Sequence, residues 1–358
     1  MNEREKRVIV IGAGIVGASL AYHLARDGAQ VTIIDAGRIA GGVTGTSFAW
    51  INPQPVPADP IAHLRSQAIA EYQRLEAEIP ALEVRWTGSL SYTAEELQAH
   101  RAAPSPSARL LAPAQIAERE PGLRRLPEQA VHEPGHGAFD AVAATHALVA
   151  SAVSHGARLM LETRAQRLSC ADGRVYGVQT DAGPLQADVV VCASGTGTAA
   201  LVQPLGVVLP MEASPAVFIR YRAQRRRVQS IVSGPEFEIR QDADGTFLAA
   251  DDYVDGSQQH SPAALAQRTA DAVRRHFPGI DALKTETACV GLRPIAADGL
   301  PVIGFLPDHA GVYVCTMHPG VTLAAVVGRL ASEEIRGACT AEAFVHCRPG
   351  RFGPAIRA

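Results

Sequence analysis

Lysine is almost missing from this 358-residue chain: its 33 basic side chains include only Lys6 and Lys284. Lys6 precedes the first apolar run and Lys284 sits in a polar segment, so Schiff-base chemistry has no promising residue. Cysteine is sparse as well. The six residues Cys170, Cys192, Cys289, Cys315, Cys339 and Cys347 form no C-x-x-C pair, which argues against a zinc site or redox pair, and no metal is expected. Cys192 and Cys315 lie in apolar runs and behave as small hydrophobes. Charge of one sign is also lacking. A net charge of −3 offers no electrostatic case for nucleic acid. No apolar stretch free of polar breaks approaches the ~18 residues of a membrane span. The apolar run behind MNEREKR is too short for a secretory leader, so a cytoplasmic protein is expected. The length calls for about two domains, and a hydrophobic content of 47% provides for a large core.

What is present begins at residue 8. The stretch VIVIGAGIVGASLAYHLARDGAQVTIID contains Gly12, Gly14 and Gly17 in the pattern G-x-G-x-x-G, between two apolar runs, and ends on Asp35. Gly12 allows a tight turn off a strand, Gly14 lets the backbone approach a pyrophosphate, and Gly17 lets helix and strand pack closely. The helix N-terminus supplies amide donors and partial positive charge. Ala21 and Leu24 share the face of Gly17, and Gly28 follows as a helix stop. Asp35 stands 23 residues after Gly12, where an acid accepts hydrogen bonds from an adenosine ribose. A dinucleotide is expected, of unspecified kind.

The rest of the chain alternates in character. Gly41 to Ser47 is too glycine-rich for a regular element and is expected to form a loop against a ligand. Residues 60–79 have helical periodicity, 86–92 resemble a strand, and 101–113 resemble a surface connection. A helix over 141–155 follows, then strands over 157–161 and 164–169. Asp172-Gly173 marks a hairpin into 175–180, and a buried strand over 187–193 runs into Ser194-Gly195-Thr196-Gly197. Alternating strands fill 216–253, a polar helix spans 262–276, and a strand over 311–316 meets a turn at Met317-His318-Pro319-Gly320 before a last helix from Val321. Two helix N-termini, near Gly14 and Gly320, are therefore available to an electron-rich ligand.

Four segments in order carry a family resemblance: the opening unit; ADVVVCASG at 187–195 with LGVVLP beyond it; GLRPIAADGLPVIG at 291–304; and VYVCTMHPGVTLA at 312–324. The whole chain resembles the flavin-dependent oxidoreductases of the D-amino-acid oxidase type, which include glycine oxidase and sarcosine oxidase. The resemblance implies FAD and a mixed α/β plus α+β architecture; because Gly291 stands where sarcosine-oxidase relatives attach the flavin through a cysteine, FAD is expected to be bound without a covalent link. A Rossmann-like FAD-binding domain would comprise 1–52, 140–205 and 286–358. A substrate domain built on an antiparallel sheet would comprise 53–139 and 206–285. It further implies that Gly12, Gly14, Ile15, Val16, Gly17, Asp35, Ala36, Arg38, Thr46, Ser47, Ala193, Ser194, Gly195, Arg293, Pro319, Gly320, Val321 and Thr322 hold the cofactor. Arg293, of the G-x-R-P motif, is expected to pair with a substrate carboxylate, a task suited to the guanidinium fork. His318 is a second catalytic candidate, and Tyr253, Arg240 and Trp50 are candidate substrate contacts.

The chain departs from the family in three places. The position that carries covalent FAD in sarcosine-oxidase relatives is Gly291, with Cys289 two residues away. No lysine lies between 216 and 253 to assist oxygen reduction, so the acceptor is oxygen or another oxidant. His318-Pro319-Gly320 lacks the second arginine of glycine oxidase. The leading expectation is oxidation of a C–N bond in an amino acid or amine, by hydride transfer from Cα to flavin N5 and hydrolysis of the imine. Two alternatives stand beside it. One is a 2-hydroxyacid dehydrogenase with His318 as base. The other is a non-catalytic FAD-binding subunit, with Arg225-Arg226-Arg227 as a partner surface. Oligomeric state is left open.

Overall fold

The computed structural model describes residues 6–53, 59–223, 226–242, 244–253, 255–280, 282–338 and 342–353. Arg225 and Cys339 lie outside these residues, while Arg226 and Arg227 are exposed.

In chain order the principal elements are β1 (Arg7–Ile11), α1 (Ile15–Arg26), β2 (Gln30–Ile34), α2 (Ala62–Glu78), α3 (Ala141–Ser154), β3 (Arg158–Met160) and β4 (Val189–Cys192). They continue as β5 (Met211–Arg222), β6 (Ile231–Gly234), β7 (Phe237–Gln241), β8 (Thr246–Asp252) and α4 (Pro262–His276). The chain closes with β9 (Lys284–Ala296), β10 (Val302–Phe305), β11 (Val312–Thr316) and α5 (Gly320–Arg336).

A six-stranded sheet runs β10-β11-β4-β1-β2-β3. Its neighbours are parallel except β10 with β11. The central strands are covered on both faces, which is why VIVI and VVVC are unbroken apolar runs rather than alternating ones. Helix α1 lies on this sheet against α5. Their approach is close: Ser19 Oγ donates to Ala324 O at 2.8 Å, and a Cβ on Gly328 would meet Ser19 Oγ at 2.3 Å.

An eight-stranded sheet covers the first body. Its order is β9-β5-β8-β7-β6, then the strands Ser89–Ser91, Ala130–Glu133 and Arg109–Leu111. All neighbours are antiparallel except β6 with Ser89–Ser91. Strand alternation splits its two faces. Val217, Ile219, Tyr221, Ile239 and Phe247 pack with Leu265, Ala266, Ala270 and Val273 of α4. Helix α4 is well delimited, because the Ser261 side chain accepts from Ala264 N, Pro262 occupies the first turn, and Arg274, Arg275 and His276 close the last. The opposite face carries Ser214, Ala216 and Phe218 toward the α/β body.

Three local expectations change. The stretch 101–113 contains the end of a helix, Ala94–Ala102, and the edge strand Arg109–Leu111, followed by a helix, Pro113–Arg119. Gly41–Ser47 is not wholly irregular, since Val43–Thr46 forms a 3-10 turn. The expected boundary at 286 falls inside β9. That strand pairs with β5 from Lys284 to Ala296, so the G-x-R-P motif belongs to the eight-stranded sheet. Pairing partners more than 70 residues upstream decide this, and they leave no mark in the motif itself. Among the described residues no helix is long and apolar enough to cross a membrane.

Candidate active site

The first turn of α1 is shaped by three glycines. Gly12 has φ +112°, and a Cβ there would stand 2.5 Å from Ala193 O. A Cβ on Gly17 would stand 2.0 Å from Gly12 O, so β1 and α1 touch only because both residues are bare. Gly14 caps the helix, and Ile15 N donates to Thr44 Oγ1 at 3.1 Å. Asp35, at the end of β2, is oriented by two amides: Ala13 N donates to Oδ2 and Gly37 N to Oδ1, each at 2.8 Å.

These elements open into a cavity of about 1030 Å³ between the two sheets. Its wall includes Gly12, Gly14, Ile15, Val16, Asp35, Ala36, Thr46, Ser47, Trp50, Ala193, Ser194, Gly195, Arg293, His318, Pro319, Gly320, Val321 and Thr322. Segments from residue 12 to residue 322 thus meet in one space. Thr322 joins two of them: its hydroxyl donates to Trp50 O and accepts from Asn52 N, both at 3.3 Å.

Four anticipated residues stand elsewhere. Gly17 serves the helix–strand contact described above. Arg38 is exposed and outside the cavity wall. Tyr253 packs against the core under α4. Arg240 is buried and committed: Nε donates to Phe48 O at 2.8 Å, one terminal nitrogen to Phe139 O at 2.9 Å, and the other pairs with Asp242. Its guanidinium also stacks over the Phe48 ring, 5.6 Å from the centroid. This arginine ties the eight-stranded sheet to the segments beneath it and has no donor aimed at a ligand. Arg240→Met is expected to lower stability by about 3 kcal/mol, because two buried carbonyls lose their donor and Asp242 keeps only Arg85. Equilibrium urea unfolding checks this; an unchanged midpoint would contradict the strut role.

Arg293 lies on β9 facing the cavity. One terminal nitrogen donates to Ser214 Oγ at 3.1 Å and to Pro215 O at 3.2 Å, while Nε is buried without a partner. Trp50 Nε1 is likewise buried without a partner in the same wall. Two buried, unpaired donors beside a glycine-lined cradle and a helix N-terminus are the donor set that a large, acceptor-rich ligand satisfies. FAD, with its pyrophosphate and acceptor-edged ring system, fits that set.

His318 is exposed to the cavity. Its imidazole is pushed down to about 4, first by burial among the cavity walls, then by the positive charges of Arg293 and Arg65. The ring is therefore neutral at pH 7 and a weak base. Several wall residues carry no sequence signal. Thr44 and Asn52 are small polar residues of irregular segments, and Arg65 and Glu96 sit on helices as surface charges do. Glu238 alternates along β7 like any half-exposed strand residue.

Comparison with known proteins matches residues 7–334 to the DAO family, described as FAD dependent oxidoreductase. The chain is 28% identical to a D-amino acid dehydrogenase of Cereibacter sphaeroides, covering 92% of each chain. It is 26% identical to a glycine oxidase of Pseudomonas aeruginosa, covering 93% of this chain and 95% of that one. Among solved structures, glycine oxidase from Geobacillus kaustophilus superposes with a TM-score of 0.84 at 23% identity. That match covers 97% of this chain and 99% of the other.

Proposed function

The chain belongs to the FAD-dependent oxidoreductase family, and from that premise we propose that it oxidises the C–N bond of an amino acid or related amine. Arg293 carries this reading: a guanidinium with a buried, unpaired Nε stands in the wall of the cofactor cavity, where a carboxylate would complete it. The amino-acid dehydrogenase and oxidase relatives support the same substrate class.

FAD, when bound, supplies the acceptor for a hydride leaving the substrate Cα. The protein's own residues do the remainder. Gly12, Gly14 and Ile15 at the start of α1 would hold the pyrophosphate, and Asp35 the ribose. Gly320, Val321 and Thr322 begin α5, whose N-terminal amides stabilise negative charge placed before them. Arg293 fixes the carboxylate and with it the orientation of Cα, which is most of what the transfer requires. The amine must be neutral to release hydride, so kcat/KM rises with pH until the amine is fully deprotonated. His318, held near 4, is a poor partner for the hydroxyl proton that a 2-hydroxyacid substrate would have to lose.

Non-covalent attachment is supported by Gly291, which has no nucleophile, and by Cys289, whose thiol is pushed up by burial. Acid precipitation is expected to leave the flavin in the supernatant; flavin remaining on the polypeptide would overturn this. A cytoplasmic location is supported by the five described cysteines, all of them free. The two lysines stand away from the cavity wall, which supports an acceptor other than oxygen. One experiment addresses function and acceptor together. The holoprotein is mixed anaerobically with a panel of amino acids, amines and hydroxy analogues while flavin absorbance is followed, and air is then admitted. Bleaching by amino acids and slow recovery in air are expected. Bleaching by hydroxy acids alone would reverse the assignment.

A further inference from the structure

We propose that Glu238 sets the substrate class, receiving a cationic side-chain group of an amino acid whose carboxylate is held by Arg293. The inference rests on the amino-acid reading above and narrows it to basic substrates.

The strand register places the two residues on one surface. Arg293 pairs with Ser214, Ala216 with both Gly291 and Asp252, and Ala250 with both Phe218 and Glu238. Directly paired residues share a face, and so do residues two apart along a strand. Arg293, Ala216, Ala250 and Glu238 therefore stand on the same side of the sheet, and all four line the cavity. Between the two charged residues this face carries the small side chains of Ala216 and Ala250 beside Phe218 and Asp252. Arg293 and Glu238 are three strands apart in the order β9-β5-β8-β7, and Arg293 lies four residues along β9 from Cys289, which is in register with Glu238 through Phe218 and Ala250, so the two backbones stand roughly 20 Å apart at the usual strand spacing and rise. Two long side chains reach across part of that distance, and an extended basic amino acid can occupy the remainder.

Glu238 differs from Asp35, another acid of the cavity wall. Asp35 is satisfied by two amides. The Glu238 carboxylate has no hydrogen-bond or ion-pair partner among the described residues. Burial first, and then the carboxylates Glu96, Asp252 and Asp251, hold Glu238 up to about 7; Arg268 and Arg275 line the adjoining cavity without an ion pair to it. A half-buried acid beside like charges, with no ion pair to a cation among the described residues, is matched best by a ligand that brings one. A carboxylate clamp at one end and an unpaired acid at the other form a dipolar recognition frame. Neutral side chains leave its acidic end unmatched.

The test uses the holoprotein and two readouts. Anaerobic flavin reduction is measured with both enantiomers of arginine and lysine against citrulline and norleucine, which have similar length without the charge. Binding is measured separately, through the flavin absorbance shift, with 5-guanidinopentanoate against hexanoate. Both probes carry a carboxylate and lack the oxidisable amine. Basic members are expected to win by about tenfold or more in each readout, and Glu238→Gln to bring the ratio within about twofold. Should the variant not fold, the wild-type ratios decide alone. Neutral amino acids that bleach the flavin as well as basic ones, or a ratio unmoved in Glu238→Gln, would remove the role of Glu238 and leave the amino-acid reading standing. If no amino acid bleaches the flavin, that reading fails first and this inference fails with it.

Discussion

Arg293→Ala is expected to lower kcat/KM for an amino-acid substrate by about 10²- to 10³-fold, mainly through KM. The estimate follows from the loss of a charge-assisted carboxylate pair, worth about 3–4 kcal/mol when two hydrogen bonds are removed together. The geometry explains why no neighbour substitutes. One terminal nitrogen of Arg293 is already tethered to Ser214 Oγ and Pro215 O, which fixes the plane of the guanidinium and leaves its buried Nε for a ligand. Arg65, the other arginine of the wall near His318, is paired with Asp59 at 2.5 Å. Arg293→Lys is expected to restore little, since an ammonium presents a point charge where a planar fork is needed. Steady-state kinetics with an amino acid and with the corresponding amine lacking the carboxylate distinguish clamp from scaffold. A clamp loses the first substrate and spares the second. Equal loss of both would point to a structural arginine, and an unchanged KM for the amino acid would end the claim.

Gly17→Ala is expected to yield protein without FAD, less stable by about 3 kcal/mol and melting roughly 4 °C lower. A single methyl group has this effect because of what it meets. The obstacle is Gly12 O at 2.0 Å, a backbone atom in the turn proposed to cradle the pyrophosphate. A side chain could swing aside; this carbonyl can move only if β1, α1 or the turn between them moves. Gly12 cannot absorb the shift, since its own Cβ position is closed by Ala193 O and its φ of +112° is hostile to other residues. The displacement therefore passes to the amides of Gly14 and Ile15. Flavin content of the purified variant and its thermal midpoint check the two effects separately. Full flavin occupancy with an unchanged midpoint would show that the contact is softer than its geometry.

The opening unit was legible in the sequence because its parts are contiguous. Strand, glycine turn, helix and acid lie within residues 8–35, and each depends on neighbours a few positions away. The last helix was legible for the same reason: a short strand, a tight turn and an apolar periodicity follow one another, and α5 begins at Gly320 and ends on Gly337 in a left-handed conformation. Helix α4 was readable down to its first and last residues, since a serine cap, a proline and a basic last turn are local signals.

The eight-stranded sheet shows where this reasoning stops. Alternation along β7 tells that Glu238 and Arg240 share a face, and nothing more. The fold presses Arg240 onto Phe48 and Phe139, from segments about one to two hundred residues upstream, and turns it into a strut. Two residues earlier on the same face, Glu238 opens onto the cavity and keeps its carboxylate unpaired. Tyr253, past the end of β8, falls to the other core. The G-x-R-P segment pairs with β5 in the eight-stranded sheet, and because that partner strand is remote in sequence the pairing is not legible in the motif.

Sequence alone thus determined that this chain carries a glycine turn of dinucleotide-binding form and, through motifs in order, that its cofactor is FAD. Those outcomes depend on short-range backbone sterics and helix-end electrostatics, which a local string of residues encodes. Only the tertiary structure decided which polar side chains became struts and which face the cofactor cavity. That depends on contacts between segments as far apart as Gly12 and Thr322, and an arginine or a glutamate looks the same in sequence whether its partner is a carbonyl of the protein or a group on the substrate.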